Sequence, residues 1–167
     1  MNRLIHFLEA VNENVGKTFA WTTSLLVWLL FALVVMRYGF GSFSQKLSEL
    51  GTYFFALSFL FASGYAFKHE KHVRVDLFYA KWSDRGKAIV NLIGGLLFLL
   101  PWCVVSIIVC WQYAMNSFSI RESSPEPSGL PALYVLKFAL FVGFGCLLLQ
   151  GIASILKSIQ ILRGKSA

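Results

Sequence analysis

Charged residues punctuate this chain at long intervals, and what lies between them is apolar. Thr18 to Met36, Leu50 to Phe67 and Phe138 to Leu156 carry no charged side chain, and Ala88 to Ile120 runs for 33 residues without one. About 20 helical residues cross a hydrocarbon core of about 30 Å. The pattern therefore predicts four spans, approximately residues 16–36, 49–67, 88–114 and 132–156. As one helix the third interval would be about 50 Å long, more than ordinary tilt accommodates. Pro101 lies inside it and lacks a backbone N–H, so a kink is expected there, or else an exit from the membrane near Gln112 to Asn116.

Ahead of the first span, Leu4, Phe7, Leu8, Val11 and Val15 recur at helical spacing, with Arg3, His6, Glu9, Asn12 and Glu13 on the remaining face. That stripe predicts a short amphipathic helix lying at the membrane surface. The expected fold is an all-α integral membrane protein: one membrane domain over 1–167, four transmembrane helices and a short N-terminal amphipathic interfacial helix. The connection Arg37 to Ser48 is short and rich in Gly and Ser, which predicts an antiparallel hairpin of the first two spans. The connection RESSPEPSGLP, Arg121 to Pro131, holds three of the four prolines and predicts an irregular loop, with Pro131 at the start of the last helix. Ser83 or Asp84 suits the N-cap of the third helix. Ser58, Ala62 and Ala66 recur every four residues as a small-residue packing face, and Gly94 and Gly95 offer close backbone approach.

Charge gives the spans a direction. Eleven Lys and Arg fall in the N-terminal segment, the second connection and the C-terminus, against three in the first and third connections, with Lys137 inside the fourth span. The positive-inside bias predicts cytoplasmic N- and C-termini in a bacterial inner (plasma) membrane. The first span exceeds a signal-peptide core and has no small-x-small site after Met36, so it is expected to be retained. The chain is 57% hydrophobic and 14% charged, against about 25% charged in a soluble domain. Its net charge of +7 is distributed by membrane side and not gathered on a soluble module, so nucleic acid is not an expected partner, whereas membrane lipids are.

The chemistry absent from the sequence narrows the function further. His6, His69 and His72 all lie in polar segments, so no paired intramembrane imidazoles await a haem. Cys103, Cys110 and Cys146 fall within the spans with no close pair, which argues against thiol redox work. There is no zinc-protease, phosphate-loop or nucleophile-elbow motif, so no catalytic residue, metal ligand, cofactor-binding or substrate-binding residue is expected. An ion-coupled carrier needs an ionisable group deep in the bilayer. The nearest candidates, Glu49 and Lys137, start at one membrane face, where they could pair with each other or with Arg37, Arg121, Glu122 or Glu126 as an ordering rim salt bridge. The second connection interleaves His72, Arg74 and Asp76 with Val73, Val75 and Leu77, and therefore has apolar surface to bury as well as charge.

A longer ordered series of residues runs through these elements. Arg37-Tyr38 closes the first span, Glu49-Leu50-Gly51-x-Tyr53 opens the second, and Gly64-Tyr65-Ala66-x-Lys68 ends it before His72-Val73-Arg74-Val75-Asp76. Leu99-Leu100-Pro101, a loop with Glu122, Gly129-Leu130-Pro131 and Leu149-Gln150-Gly151 follow in order. From Arg37 to Gly151 the chain resembles the small membrane subunit of tripartite ATP-independent periplasmic (TRAP) transporters, the DctQ family; Ser63, where another Gly is usual, is a local departure. The resemblance implies an accessory subunit, not an enzyme. It would dock on a large membrane subunit of the DctM family, which carries the substrate and sodium sites, while a periplasmic solute-binding protein delivers an organic acid. No cofactor is implied in this chain. Arg37, Glu49, Tyr53, His72, Arg74, Asp76, Glu122 and Lys137 become candidate interface or structural residues. The rival expectations are an autonomous small homodimeric ion-coupled antiporter and a quinone or thiol-redox membrane enzyme.

Overall fold

The computed structural model describes residues 2–69, 79 and 82–164. Its elements are α1 (Asn2–Gly39), α2 (Gln45–Lys68), α3 (Asp84–Gly94), a π-helical turn (Gly95–Leu99), α4 (Leu100–Ser119) and α5 (Leu133–Leu162). The described residues contain no strand. Four continuous helical stretches are long and apolar enough to cross a membrane: α1, α2, α3 to α4 together, and α5. With four crossings, both termini and the connection after α2 share one face, here the terminal face; the other two connections form the loop face.

The N-terminal amphipathic helix is not a separate element. α1 is one helix of 38 residues, and its first four turns continue the span's axis. The buried stripe of those turns is Ile5, Leu8, Glu9, Asn12 and Gly16, while Leu4 and Phe7 are exposed. Glu9 and Asn12 of the expected polar face therefore turn inward with Ile5 and Leu8, where they meet groups on α2 and α5, while Arg3 and His6 stay exposed.

The third span resolves its excess length without leaving the helix. Asp84–Ser119 is 36 residues, about 54 Å at the usual rise, and it continues helically beyond Gln112 to Asn116. Pro101 brings no N–H, and its ring crowds the carbonyl four residues back. The turn just before it widens to π geometry, with the Leu100 N–H reaching the Gly95 carbonyl. Ser83 caps α3, its hydroxyl accepting from the Gly86 N–H, so Ser83 and not Asp84 is the N-cap. Pro131 does not start α5; the helix begins at Leu133 after Ala132, whose φ is +68°. Between α1 and α2, Gly41 turns the chain at φ +63°, a conformation that favours glycine.

The last helix is the hub. α5 packs against α1, α2 and both halves of the third span, so α1 and α2 lie on one side of it and α3 and α4 on the other. Apolar burial does not drive helices together in lipid; close backbone packing and polar contacts do. Glycines mark those approaches. Gly16 of α1 sits against Tyr65, Gly51 against Leu29, Gly143 of α5 against Leu60, Gly151 against Leu99, and Gly95 of the π turn against Ile155. Gly95 thus makes the close contact expected of it, whereas a Cβ at Gly94 would meet nothing within 4 Å. The expected Ser58, Ala62, Ala66 face is only partly used. Ser58 shares a hydrogen bond with Thr22 of α1, but Ala62 is exposed, and α2 buries Gly51, Phe61 and Gly64 instead. Phe61 stacks on Phe19 with centroids 4.0 Å apart and joins Ala139 and Cys146 in the core between α1, α2 and α5.

Candidate functional site: two polar ends on an apolar bundle

At the loop face, Glu49 organises the connection between α4 and α5. Its Oε2 accepts from the Leu130 N–H at 2.7 Å, and its Oε1 accepts from the Ser124 hydroxyl and, at 3.5 Å, from Gln45 Nε2. Gly129 makes this possible, since a Cβ there would fall 2.7 Å from Glu49 Oε1. The connection is further fixed by the Glu122 N–H donating to the Ser117 carbonyl and the Leu133 N–H donating to the Glu122 carbonyl, each at 3.0 Å. Arg121 and Ala132, both at positive φ, turn the chain at its two ends.

Lys137 has a different partner. Its ammonium pairs with the Glu122 carboxylate and lies 3.9 Å from the centroid of the Tyr113 ring, so a residue only 7% exposed has its charge met from α4 and the connection. That ammonium holds the Glu122 carboxyl below the usual carboxylate range. Of the pairings left open by the sequence, Lys137 with Glu122 forms, while Glu49 and Lys137 bond to different groups. Phe118 against Tyr134 and Phe138, and Trp111 against Phe138 and Phe141, seal the same end with centroids 5.1–6.3 Å apart.

The remaining candidates are more dispersed. Tyr53, one turn beyond Glu49 on α2, has a buried hydroxyl with no hydrogen-bond partner among the described residues. Arg37 is exposed at the end of α1 with its guanidinium 5.8 Å from the Phe43 ring, outside the rim pairings. His72, Arg74 and Asp76 lie outside the described residues.

At the terminal face the structure reveals a second polar cluster that sequence reasoning assigned to solvent. Glu13 of α1 binds Lys68 at 2.7 Å and His69 at 3.0 Å, both at the end of α2, and Lys17 at 2.9 Å. The Lys68, Lys17 and His69 contacts bring the Glu13 carboxyl down from 4.5 to about 2. Glu9 pairs with Lys157, and Gln160 donates to Asn2, so the same helix is also fastened to the end of α5. Between these contacts Asn12 is 1% exposed. Its Nδ2 donates to the Leu8 carbonyl at 3.2 Å, and its Oδ1 lies against Gly64. Glu9, Asn12, Glu13 and Gly16 follow helical spacing, which was the available signal that these polar residues form one seam.

Among the described residues no group of three or more His, Cys, Asp or Glu could hold a metal ion. The three cysteines are free thiols. What the arrangement offers is mechanical: an apolar body whose two ends are cross-linked by ion pairs and hydrogen bonds.

Two comparisons bear on identity. The family described as tripartite ATP-independent periplasmic transporters, DctQ component, matches residues 15–161. A Haemophilus influenzae protein named provisionally as a TRAP transporter small permease protein is 30% identical over 131 residues, covering 78% of this chain and 79% of that relative. With four apolar helices and a match that takes in every one of them, this multi-pass membrane protein belongs to the DctQ family, the small permease component of TRAP transporters.

Proposed function

We propose that the chain is the accessory scaffold of a sodium-coupled TRAP transporter for organic-acid uptake. It docks on a large membrane subunit of the DctM family and holds that subunit's stationary part in the bilayer, while a periplasmic solute-binding protein delivers the solute. One observation carries this reading: the charged side chains described are gathered toward the two ends of the bundle, and the helical stretches between them contain none. A carrier that binds and releases an ion needs such a group within the membrane. The nearest carboxylate, Glu49, is occupied by Ser124 and the Leu130 N–H. An autonomous homodimeric antiporter is therefore the weaker reading.

In this account the chain carries no cofactor, and sodium binds in the partner. The eleven-to-three bias of basic residues supports an inner-membrane orientation with both termini in the cytoplasm. Glu49, Glu122 and Lys137 order the periplasmic rim, with Tyr53 beneath it. Arg37 stands free of that network for a subunit contact, and His72, Arg74 and Asp76 are assigned to fixing the cytoplasmic connection. Co-purification of the large subunit through a tag on this chain tests the docking. Stable recovery from wild type, reduced in Arg37→Ala and Arg74→Ala, is the expected result; undiminished recovery from both variants would remove these residues from the interface.

A further inference from the structure

Two adjoining cavities lie on the terminal-face half of the bundle, between the end of α2, α3 and α5. The larger is about 580 Å³, within the roughly 300–1,000 Å³ of ordinary small-molecule sites. Its walls are mainly apolar or small: Phe67, Trp82, Val90, Gly94, Gly95 and Leu99 among them. The smaller, about 140 Å³, is polar and lined by Glu9, Lys68, Gln150, Ser158 and Lys157. Phe67, Asn91 and Ser154 line both, so the two compartments adjoin.

The polar compartment contains an unmet demand. Gln150 is 3% exposed, and its Oε1 has no hydrogen-bond partner among the described residues. Leaving such an acceptor buried and unpaired is costly, and a ligand with a hydrogen-bond donor would recover that cost. Lys68, already paired with Glu13, and the Lys157–Glu9 ion pair line the same compartment, so its charge is mixed and largely balanced. Trp82 and Tyr79 line the apolar compartment just before α3 begins, an aromatic pair of the kind enriched at membrane interfaces, with the Lys87 ammonium 5.8 Å from the Tyr79 ring centroid. An apolar slot with an aromatic pair in its lining, joined to a small pocket of mixed charge, is complementary to an amphiphile and not to a soluble ion.

We propose that the joined cavities are a binding site for one glycerophospholipid of the terminal-side leaflet. One acyl chain lies over Gly94, Gly95 and Leu99, and a headgroup bearing hydrogen-bond donors sits among Gln150, Lys157 and Glu9. The lipid links α3 to α2 and α5. This inference needs only that the helices lie in a bilayer, so it stands or falls apart from the transport role.

Gly94 supplies a clean perturbation. It lines the large cavity, and an added Cβ meets nothing within 4 Å, so the side chain of Gly94→Leu starts from open space beside the slot. The full chain, purified in mild detergent, is analysed by native mass spectrometry as extracted, and again after delipidation and titration with phospholipids of ethanolamine, glycerol or choline headgroup. The expected result is one retained phospholipid per chain, with binding of the donor-bearing headgroups weakened about tenfold by Gly94→Leu and by Gln150→Leu, and choline lipid binding weaker than either in wild type. Equal retention by wild type and Gly94→Leu, or no retained lipid at all, would overturn the site. So would a large subunit whose recovery with this chain is lost in Gly94→Leu while lipid content is unchanged, because a partner helix would then be the occupant.

Discussion

At the junction of Asn12, Gly64 and Cys146 the helices α1, α2 and α5 meet in close contact, which permits a quantitative test of the packing. A Cβ on Gly64 would overlap the Asn12 amide oxygen and approach Asn12 Cγ to 3.0 Å and the Cys146 carbonyl oxygen to 3.3 Å. Overpacking of this kind costs about 1–3 kcal/mol, offset by roughly 1 kcal/mol from replacing a helical Gly by Ala. Gly64→Ala is therefore expected to lose up to about 2 kcal/mol. Asn12→Ala removes the severer overlap and an amide oxygen with no partner among the described residues, leaving only the 3.3 Å contact with the carbonyl, which a shift of a few tenths of an ångström relieves. In that background the helix-propensity gain is no longer opposed by the overlap, so Gly64→Ala becomes neutral to slightly stabilising, a coupling of about 1–3 kcal/mol by double-mutant cycle. Reversible unfolding in mixed micelles of rising SDS fraction measures all four proteins. If Gly64→Ala costs the same with and without Asn12, the α1 seam does not pack on α2 as described.

Other consequences follow from the two polar ends. Glu49→Gln keeps the size of the side chain but offers one strong acceptor where the carboxylate offers two. Hydrogen exchange at the Leu130 amide and proteolysis between Ser123 and Gly129 should both accelerate, and unchanged rates would show that the connection holds itself. The Glu13 carboxyl is depressed to about 2 in the fold, so its contribution is present above the unfolded carboxylate range and is lost as pH falls through that range toward 2. The difference in melting temperature between wild type and Glu13→Gln should be constant from pH 7 to 5 and shrink below about 4.5; a constant difference down to pH 2.5 would refute the clamp. Gly95→Val should destabilise the chain by about 1–3 kcal/mol, because its Cβ would stand 2.7 Å from Ile155 Cγ1. Ile155→Ala should restore part of that loss in the same unfolding assay, and no restoration would place the strain elsewhere.

The spans were legible because lipid imposes a demand on sequence that water does not: every crossing must be a long uncharged helix. The trouble at Pro101 was legible too, since a missing N–H and an intruding ring are local facts, whereas the π turn over Gly95–Leu99 just before it was not among the expectations. Lys137 with Glu122 was one of several rim pairings the sequence allowed, and the fold selected it. The direction of the N-terminal stripe was not legible. An apolar face and a polar face at the same spacing state only that two surroundings differ, and here the buried stripe crosses both, taking Ile5 and Leu8 with Glu9 and Asn12. Glu9, Asn12 and Glu13 were misread for that reason: their partners Lys157, Gly64 and Lys68 are distant in sequence. Ala62 failed as a packing residue because small size permits contact without requiring it, whereas Gly64 faces a side chain already in place.

The central claim is that this chain supports transport without performing it, and sodium-driven uptake in proteoliposomes tests it most directly. Vesicles carrying this chain alone, the large subunit alone, or both are compared with the solute-binding protein supplied outside. Uptake only when all components are present is the predicted result, and sodium-dependent uptake by this chain alone would contradict it.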